Sequence, residues 1–363
     1  MRRRGPAVGW TDPVRTRPRI GNRTAVIAVV TALMIAAAVS TPGSAGAAPG
    51  LTFDLELGGP CFRGVAPAGR SVELVLKAPD GATRAFTHAH AGGLGKYTTC
   101  FDVDIHGGDI LVAHAGDLSR RWVVPRSTVR VDRVTDVVSG DAPAGSSVHV
   151  TVRQGPNFFG SPGHAEADVT AGPHGRYAID FSSQLDIGAG MAGVITIQAA
   201  GDTLRLVGYS LWVVTERGAN TIYGIASGPV DLELRAADGH LRAEARATDR
   251  YGQFLIYLVD AHGSPTYPRA GDTIVVAQDA DAHLLIPAGR LNGDPDANVL
   301  FGRCMPNAPF DLGVSHDDSG TADETGHFRK DQSEHRSVKT GQFIEVYCHY
   351  PTGDIYQIYN YVH

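Results

Sequence analysis

The sequence predicts an all-β protein: an N-terminal signal peptide followed by four tandem antiparallel β-sandwich domains. Three observations predict it. The chain carries 44 Gly and 21 Pro among 363 residues, too many breakers for a helical bundle and without the period of a collagen. Short apolar runs alternate with polar residues at period 2, as half-buried strands do. Four sequence anchors recur in the same order four times. Charged residues are only 19% and hydrophobic residues 43%, which excludes a disordered chain.

The first element is an address. Residues 1–23 hold seven Arg and one acid, Asp12. Thr24 to Val39 is an uncharged stretch of 16 residues, and Ala45-Gly46-Ala47 fits a small-residue cleavage site. Positive, apolar, small is the order of a secretory signal. The stretch is shorter than the about 20 residues that span a bilayer as helix. An uncleaved N-terminal anchor is the alternative, and only that alternative places the protein on a membrane. The Arg pairs lack a twin-Arg context, and no Cys follows to take a lipid. Without 1–47 the remaining chain has a net charge of about −12. An acidic surface argues against nucleic acid, whose phosphates need Lys/Arg stripes.

The repeats occupy 48–125, 126–209, 210–287 and 288–363. The first anchor is a turn: Gly64-Val65-Ala66-Pro67-Ala68-Gly69, then Gly140-Asp141-Ala142-Pro143-Ala144-Gly145, with Gly224 and Gly302 in the same place. A period-2 strand follows: Val72/Leu74/Leu76, Val148/Val150/Val152, Val230/Leu232/Leu234 and Phe310/Leu312/Val314. The third anchor is Gly-x-aromatic, at Gly95/Tyr97, Gly175/Tyr177, Gly252/Phe254 and Gly326/Phe328. The fourth is a strand opened by Gly, at Gly108, Gly193, Gly271 and Gly341. Two packed antiparallel sheets per repeat would bury the inward faces. Leu241 to Ala247, the best helix candidate, is predicted as a strand because it alternates after the Asp238-Gly239 turn.

The cysteines are Cys61, Cys100, Cys304 and Cys348. An exported chain meets an oxidising environment, so they are expected to pair. Of three connectivities, Cys61–Cys100 and Cys304–Cys348 keep each bridge inside one repeat.

The order turn, V-x-L-x-L strand, Gly-x-Tyr and Gly-Asp resembles the immunoglobulin-like or transthyretin-like β-sandwich repeats of bacterial exported and cell-surface proteins. The resemblance covers about residues 51–363. It implies a spacer, adhesive or binding role and carries over no catalytic residue. Repeats three and four depart from it: the Pro-Ala-Gly turn is lost, and in repeat three Pro268-Arg269 replaces the Asp-Ile pair that precedes the fourth anchor in the first two repeats (Asp104-Ile105 and Asp186-Ile187).

No Gly-x-Ser-x-Gly, HExxH or phosphate-cradling loop occurs, so no catalytic or cofactor-binding residue is assigned. His88 and His90 share a strand face; that is either the start of a metal site or a solvent face. Asp294-Pro295-Asp296 and His316-Asp317-Asp318 read either as Ca²⁺-holding turns or as plain turn chemistry. No cofactor or metal is expected. Tyr347, Tyr350, Tyr356, Tyr359 and Tyr361 crowd the C-terminus. They form either a binding face for a sugar or protein partner or the core of the last repeat. Trp122 and Trp212 read as core or interdomain aromatics, and Phe158-Phe159 as a loop insertion. The expected function is a secreted, non-enzymatic adhesion, scaffold or binding module, whose partner is an extracellular protein or cell-wall polymer. The alternatives are a carbohydrate-binding array and a secreted hydrolase with an interdomain site.

Overall fold

The computed structural model describes residues 50–153, 163–247, 252–277, 282–313, 318–333 and 337–363. The segment 1–47, Phe158-Phe159, Val314 and His316-Asp317 lie outside the described residues. Among the described residues there is no helix, and the strands gather in six sheets.

Residues 52–123 form β1 (Thr52–Glu56), β2 (Cys61–Val65), β3 (Ser71–Lys77), β4 (Thr83–His90), β5 (Lys96–Cys100), β6 (Ile110–Ala115) and β7 (Leu118–Val123). Residues 130–209 form β8 (Arg130–Asp132), β9 (Val137–Asp141), β10 (Ser147–Arg153), β11 (His164–Thr170), β12 (Arg176–Asp180), β13 (Ala192–Ala199) and β14 (Asp202–Tyr209). Residues 212–285 form β15 (Trp212–Glu216), β16 (Thr221–Ile225), β17 (Val230–Arg235), β18 (Leu241–Ala247), β19 (Gln253–Tyr257), β20 (Thr273–Ala277) and β21 (Ala282–Leu285). The last are β22 (Arg290–Asp294), β23 (Val299–Arg303), β24 (Pro309–Leu312), β25 (Ser319–Thr321), β26 (His327–Asp331), β27 (Phe343–His349) and β28 (Ile355–Tyr361). Leu241–Ala247 is a strand, as its alternation predicts.

The anchors have a direct structural cause. Gly64, Gly140, Gly224 and Gly302 each sit opposite the aromatic of the Gly-x-aromatic anchor: Tyr97, Tyr177, Phe254 and Phe328. The far end of the aromatic side chain lies against the glycine, and a Cβ there would fall 2.5–2.7 Å from it. It would also meet a neighbouring backbone carbonyl at 2.0–2.2 Å. Space, not backbone dihedral, fixes these glycines. In the first two copies the phenol also donates to a carbonyl, Tyr97 to Thr52 at 3.1 Å and Tyr177 to Thr128 at 2.9 Å. The fourth anchor needs one correction. Gly108, Gly271 and Gly341 have positive φ two residues before their strands; the residue in that place in the second copy is Gly190 (φ 76°), not Gly193. Gly193 lies inside β13.

The strands do not form four separate beads. β14 lies parallel to β1, with Asp54 opposite Thr203 and Glu56 opposite Arg205, so one seven-stranded sheet runs β11-β10-β13-β14-β1-β2-β5. β28 lies parallel to β15 in the same way, with Val214 opposite Ile355, giving a second, β19-β16-β15-β28-β27-β24-β25. The two sheets have the same internal order. Four smaller sheets complete the layers: β4-β3-β6-β7, β12-β9-β8, β18-β17-β20-β21 and β22-β23-β26.

The cores follow this pairing. One buried apolar cluster runs from Leu51 to Leu206 and a second from Leu211 to Val362. The predicted inward positions Val72, Leu74, Leu76, Val148, Val150 and Val152 are inaccessible to solvent. Each such side chain contributes about 1.5–3 kcal/mol by leaving water.

Cys61 and Cys100 are bridged directly across β2 and β5, on an exposed face. Cys304 and Cys348 are bridged within the second core, between the end of β23 and β27, and both are buried. Cys304–Cys348 therefore ties a three-stranded sheet to a seven-stranded one.

Two buried aspartates mark the parallel joints. Asp202, at the start of β14, accepts the Phe53 N–H at 3.0 Å and the Arg120 guanidinium at 2.5 Å. Burial pushes the Asp202 carboxyl up, while the Phe53 N–H and Arg120 pull it down. Asp354, just before β28, accepts the Val213 N–H at 2.8 Å. Its guanidinium partner, Arg133, comes from the preceding pair of repeats and makes two contacts, at 3.1 and 2.9 Å.

Candidate functional site

Each seven-stranded sheet has one face on a core and one face outward. The matching rungs of the two sheets make the outward faces comparable position by position. In the first sheet Thr98, Arg63, Asp54 and Thr203 share one rung, and Thr196 and His149 lie on the neighbouring rung of Arg205. Arg63 and Arg205 lie 3.2 and 3.6 Å from the Asp54 carboxylate. This face is built for water.

The corresponding positions of the second sheet are Leu255, Tyr223, Val214 and Ile355 on one rung, and Tyr347 and Asp311 on the neighbouring rung of Gln357. Aromatic and aliphatic side chains replace the charges. Over these positions lies a groove of about 1190 Å³, floored by β19, β16, β15, β28, β27 and β24. Trp212, Tyr223, Leu255 and Tyr347 give it apolar faces; Gln253, Asp311 and Glu345 give it polar ones. At one end Ala189, from the segment after β12, packs with Trp212, Val214, Ile225 and Ile355 in a third apolar cluster. Trp212 is thus an aromatic between repeats, while Trp122 stacks on Phe53 at 5.5 Å within the first repeat.

A chain of hydrogen bonds fixes the polar groups. Tyr223 donates its phenol to Gln357 Oε1 at 3.0 Å, and Gln357 Nε2 donates to Glu345 Oε2 at 3.1 Å. His349 Nε2 lies 2.7 Å from Asp311 Oδ2. Burial, then the Glu345 carboxylate, holds the Tyr347 phenol well above the ordinary tyrosine value. Burial, then Glu216 and Glu345, raises Tyr223 as well. Both phenols therefore stay neutral donors at physiological pH. Among the described residues the lining contains no Lys or Arg and no Ser or Cys. Those residues offer ring faces and hydrogen-bonding groups.

The five C-terminal tyrosines separate. Tyr350 and Tyr356 are buried in the second core; burial pushes Tyr356 up to about 12. Tyr347 lines the groove. Tyr359 and Tyr361 are exposed and flank exposed Phe343, with ring centres 6.0 and 5.6 Å away. His88 and His90 point outward from β4, with Phe86 edge-on to His88 at 4.5 Å. Asp294 accepts the N–H groups of Asp296 and Ala297, as a turn residue does. Among the described residues no three His, Cys, Asp or Glu converge as metal ligands.

Sequence reasoning missed Trp212 as a groove residue, and Tyr223, Leu255, Asp311 and Glu345 entirely. A signal existed. Leu211-Trp212-Val213-Val214 and Ile222-Tyr223-Gly224-Ile225 lack the alternation of a half-solvated strand, which means that both faces are covered.

No family model and no curated relative matches the chain. Among solved structures it is similar to a tetra-tandem repeat in the extending region of a large adhesion protein. The identity is 16%, over 86% of this chain and 98% of that one, with a TM-score of 0.17. A biofilm-associated protein BSP domain is 9% identical over 86% of this chain and 96% of that one, with a TM-score of 0.19. Native E. coli alpha-2-macroglobulin is 9% identical over 88% of this chain and 30% of that one, with a TM-score of 0.19. With TM-scores this low, none of them fixes the fold or the function of this chain.

Proposed function

We propose that the protein is a secreted, non-enzymatic binding protein of the adhesion or scaffold type. Its four β-sandwich domains, with boundaries as predicted, are fused in two pairs, behind a signal peptide. The first pair is the solvated spacer and the second carries the ligand contact. The observation that carries this reading is the exchange of outward positions. Thr98, Arg63, Asp54 and Thr196 on the first sheet become Leu255, Tyr223, Val214 and Tyr347 on the second. Val214 is covered by the cluster that holds Ala189, but a spacer has no physical need for exposed Leu255 or half-buried Tyr223 and Tyr347, since apolar side chains facing water are a solubility cost. The two bridged cysteine pairs fit an oxidising compartment.

The test is retention of the full chain on cell-wall polymers and on secreted proteins. Wild type is compared with Leu255→Asp and with Tyr347→Ala. Both variants should lose retention while keeping the wild-type β circular dichroism. Equal retention by all three proteins refutes the groove as the contact.

A further inference from the structure

We infer that the groove on the second seven-stranded sheet takes an extended, uncharged polysaccharide. This inference rests on the reading of the groove as the ligand contact and adds the chemistry of the ligand.

Shape comes first. The groove crosses six adjacent strands, from β19 to β24. Neighbouring strands are about 4.8 Å apart, so its floor is roughly 24 Å wide. Its volume of about 1190 Å³ exceeds that of an ordinary small-molecule cleft. A long oligomer fills it; a single small ring does not.

The backbone then separates peptide from glycan. Every strand of the floor except β19 has a hydrogen-bonded neighbour on both sides. Their N–H and C=O groups are already used in the ladders. A peptide that docks by adding a strand needs a free sheet edge; the edge of β19 only bounds the groove, and the other five strands of the floor offer none. A peptide laid across the strands would bring its own amide groups with no backbone partners to meet them. A sugar chain brings hydroxyls, each both donor and acceptor. Those match the phenol of Tyr347, the amide of Gln253 and the carboxylates of Asp311 and Glu345. The apolar faces of its rings match exposed Leu255 and the half-buried rings of Tyr223 and Tyr347.

Charge decides between kinds of glycan. Asp311 and Glu345 face the groove, and among the described residues no Lys or Arg lines it. An anionic polymer would set carboxylates against carboxylates with no counter-charge. An uncharged polymer meets no such cost. Exposed Phe343, Tyr359 and Tyr361 lie on the same face, further along β27 and β28. They extend the stacking surface beyond the groove along the strands.

The experiment is affinity electrophoresis of the full chain in gels containing a soluble uncharged β-glucan, a galactomannan or an alginate. A lysine-rich peptide is titrated in parallel. At least one uncharged polymer should retard the protein and alginate should not. Leu255→Asp and Tyr347→Ala should weaken that retardation by about tenfold, the equivalent of one well-placed aromatic contact. Tyr347→Phe should retain most of it, which separates ring stacking from misfolding. Thr98→Ala and Thr196→Ala, at the matching positions of the first sheet, should change nothing. Failure of both uncharged polymers to retard the chain overturns the inference. Binding of alginate or of the peptide that the groove variants abolish overturns the ligand class and leaves the groove as the contact. Retardation that the groove variants do not affect overturns both.

Discussion

Asp354→Ala is the sharpest test of how the two pairs of repeats are held. Asp354 is wholly buried and makes four contacts: the Val213 N–H, two arms of the Arg133 guanidinium and the Thr352 hydroxyl at 2.7 Å. The Arg133 side chain is only 10% exposed. Removing the carboxylate leaves a buried cation without its partner, which costs about 3–5 kcal/mol. It also orphans the Val213 N–H, a loss of about 1–3 kcal/mol. The two losses share one site and do not add in full, so the expected destabilisation is about 4 kcal/mol. The duplicate site supplies the control. Asp202→Ala also orphans a backbone N–H, but the Arg120 side chain is 28% exposed and can turn to water. Its expected cost is about 2 kcal/mol. Denaturant unfolding followed by Trp212 fluorescence reads the first site, because Val213 is its direct neighbour. A double-mutant cycle with Arg133→Ala isolates the pair and should show a coupling of at least about 2 kcal/mol. A cost below about 1 kcal/mol for Asp354→Ala, or an equal or larger cost for Asp202→Ala, would refute the reasoning from burial.

Three further outcomes are expected. Mild reductant under native conditions should open Cys61–Cys100, which is exposed, and spare buried Cys304–Cys348; alkylation and mass spectrometry read the order, and the reverse order contradicts it. Loss of either closed loop, of 39 or 44 residues, should cost about 4 kcal/mol in the chain-entropy view. In alkali, Tyr97, Tyr177, Tyr350 and Tyr356 keep their protons above the ordinary value of 10.0, burial being the main cause. The unfolded chain gives up those protons first. Their contribution to stability is therefore complete below pH 10 and is lost as pH rises from there. Ultraviolet absorbance should show these phenols ionising only with unfolding.

Much of the fold is legible along the chain because its causes are local. Gly64 and Tyr97 recur as Gly140 and Tyr177 because the tip of the tyrosine takes the space that a Cβ would fill. Period 2 names Val72, Leu74 and Leu76 as core because a pleated strand has two faces. The Gly190 position was harder to read. Gly193 offers the same residue type three places on, and only the dihedral tells them apart. The β1–β14 and β15–β28 joints were not legible at all. Each rests on three paired positions about 150 residues apart in sequence, and no local pattern announces them. The groove was hidden for a related reason. Leu255, Tyr223 and Tyr347 become one surface only when the register of the strands from β19 to β27 is known. The C-terminal tyrosines drew attention as a group, yet their neighbours in sequence are not their neighbours on a face. Tyr356 points into the core and Tyr359 away from it.

The side-by-side pairing of β1 with β14 also governs how the molecule would carry load. In each joint the first strand of a pair runs alongside the last, in the same direction. Tension along the chain enters at the front of one strand and leaves at the back of the other. The two are then dragged past each other lengthwise, so all rungs of the joint resist together instead of opening one by one like a zip. Each pair of repeats is closed by a shear clamp, and the Asp202 and Asp354 carboxylates, bonded to the backbone of the opposite strand, act as its pins.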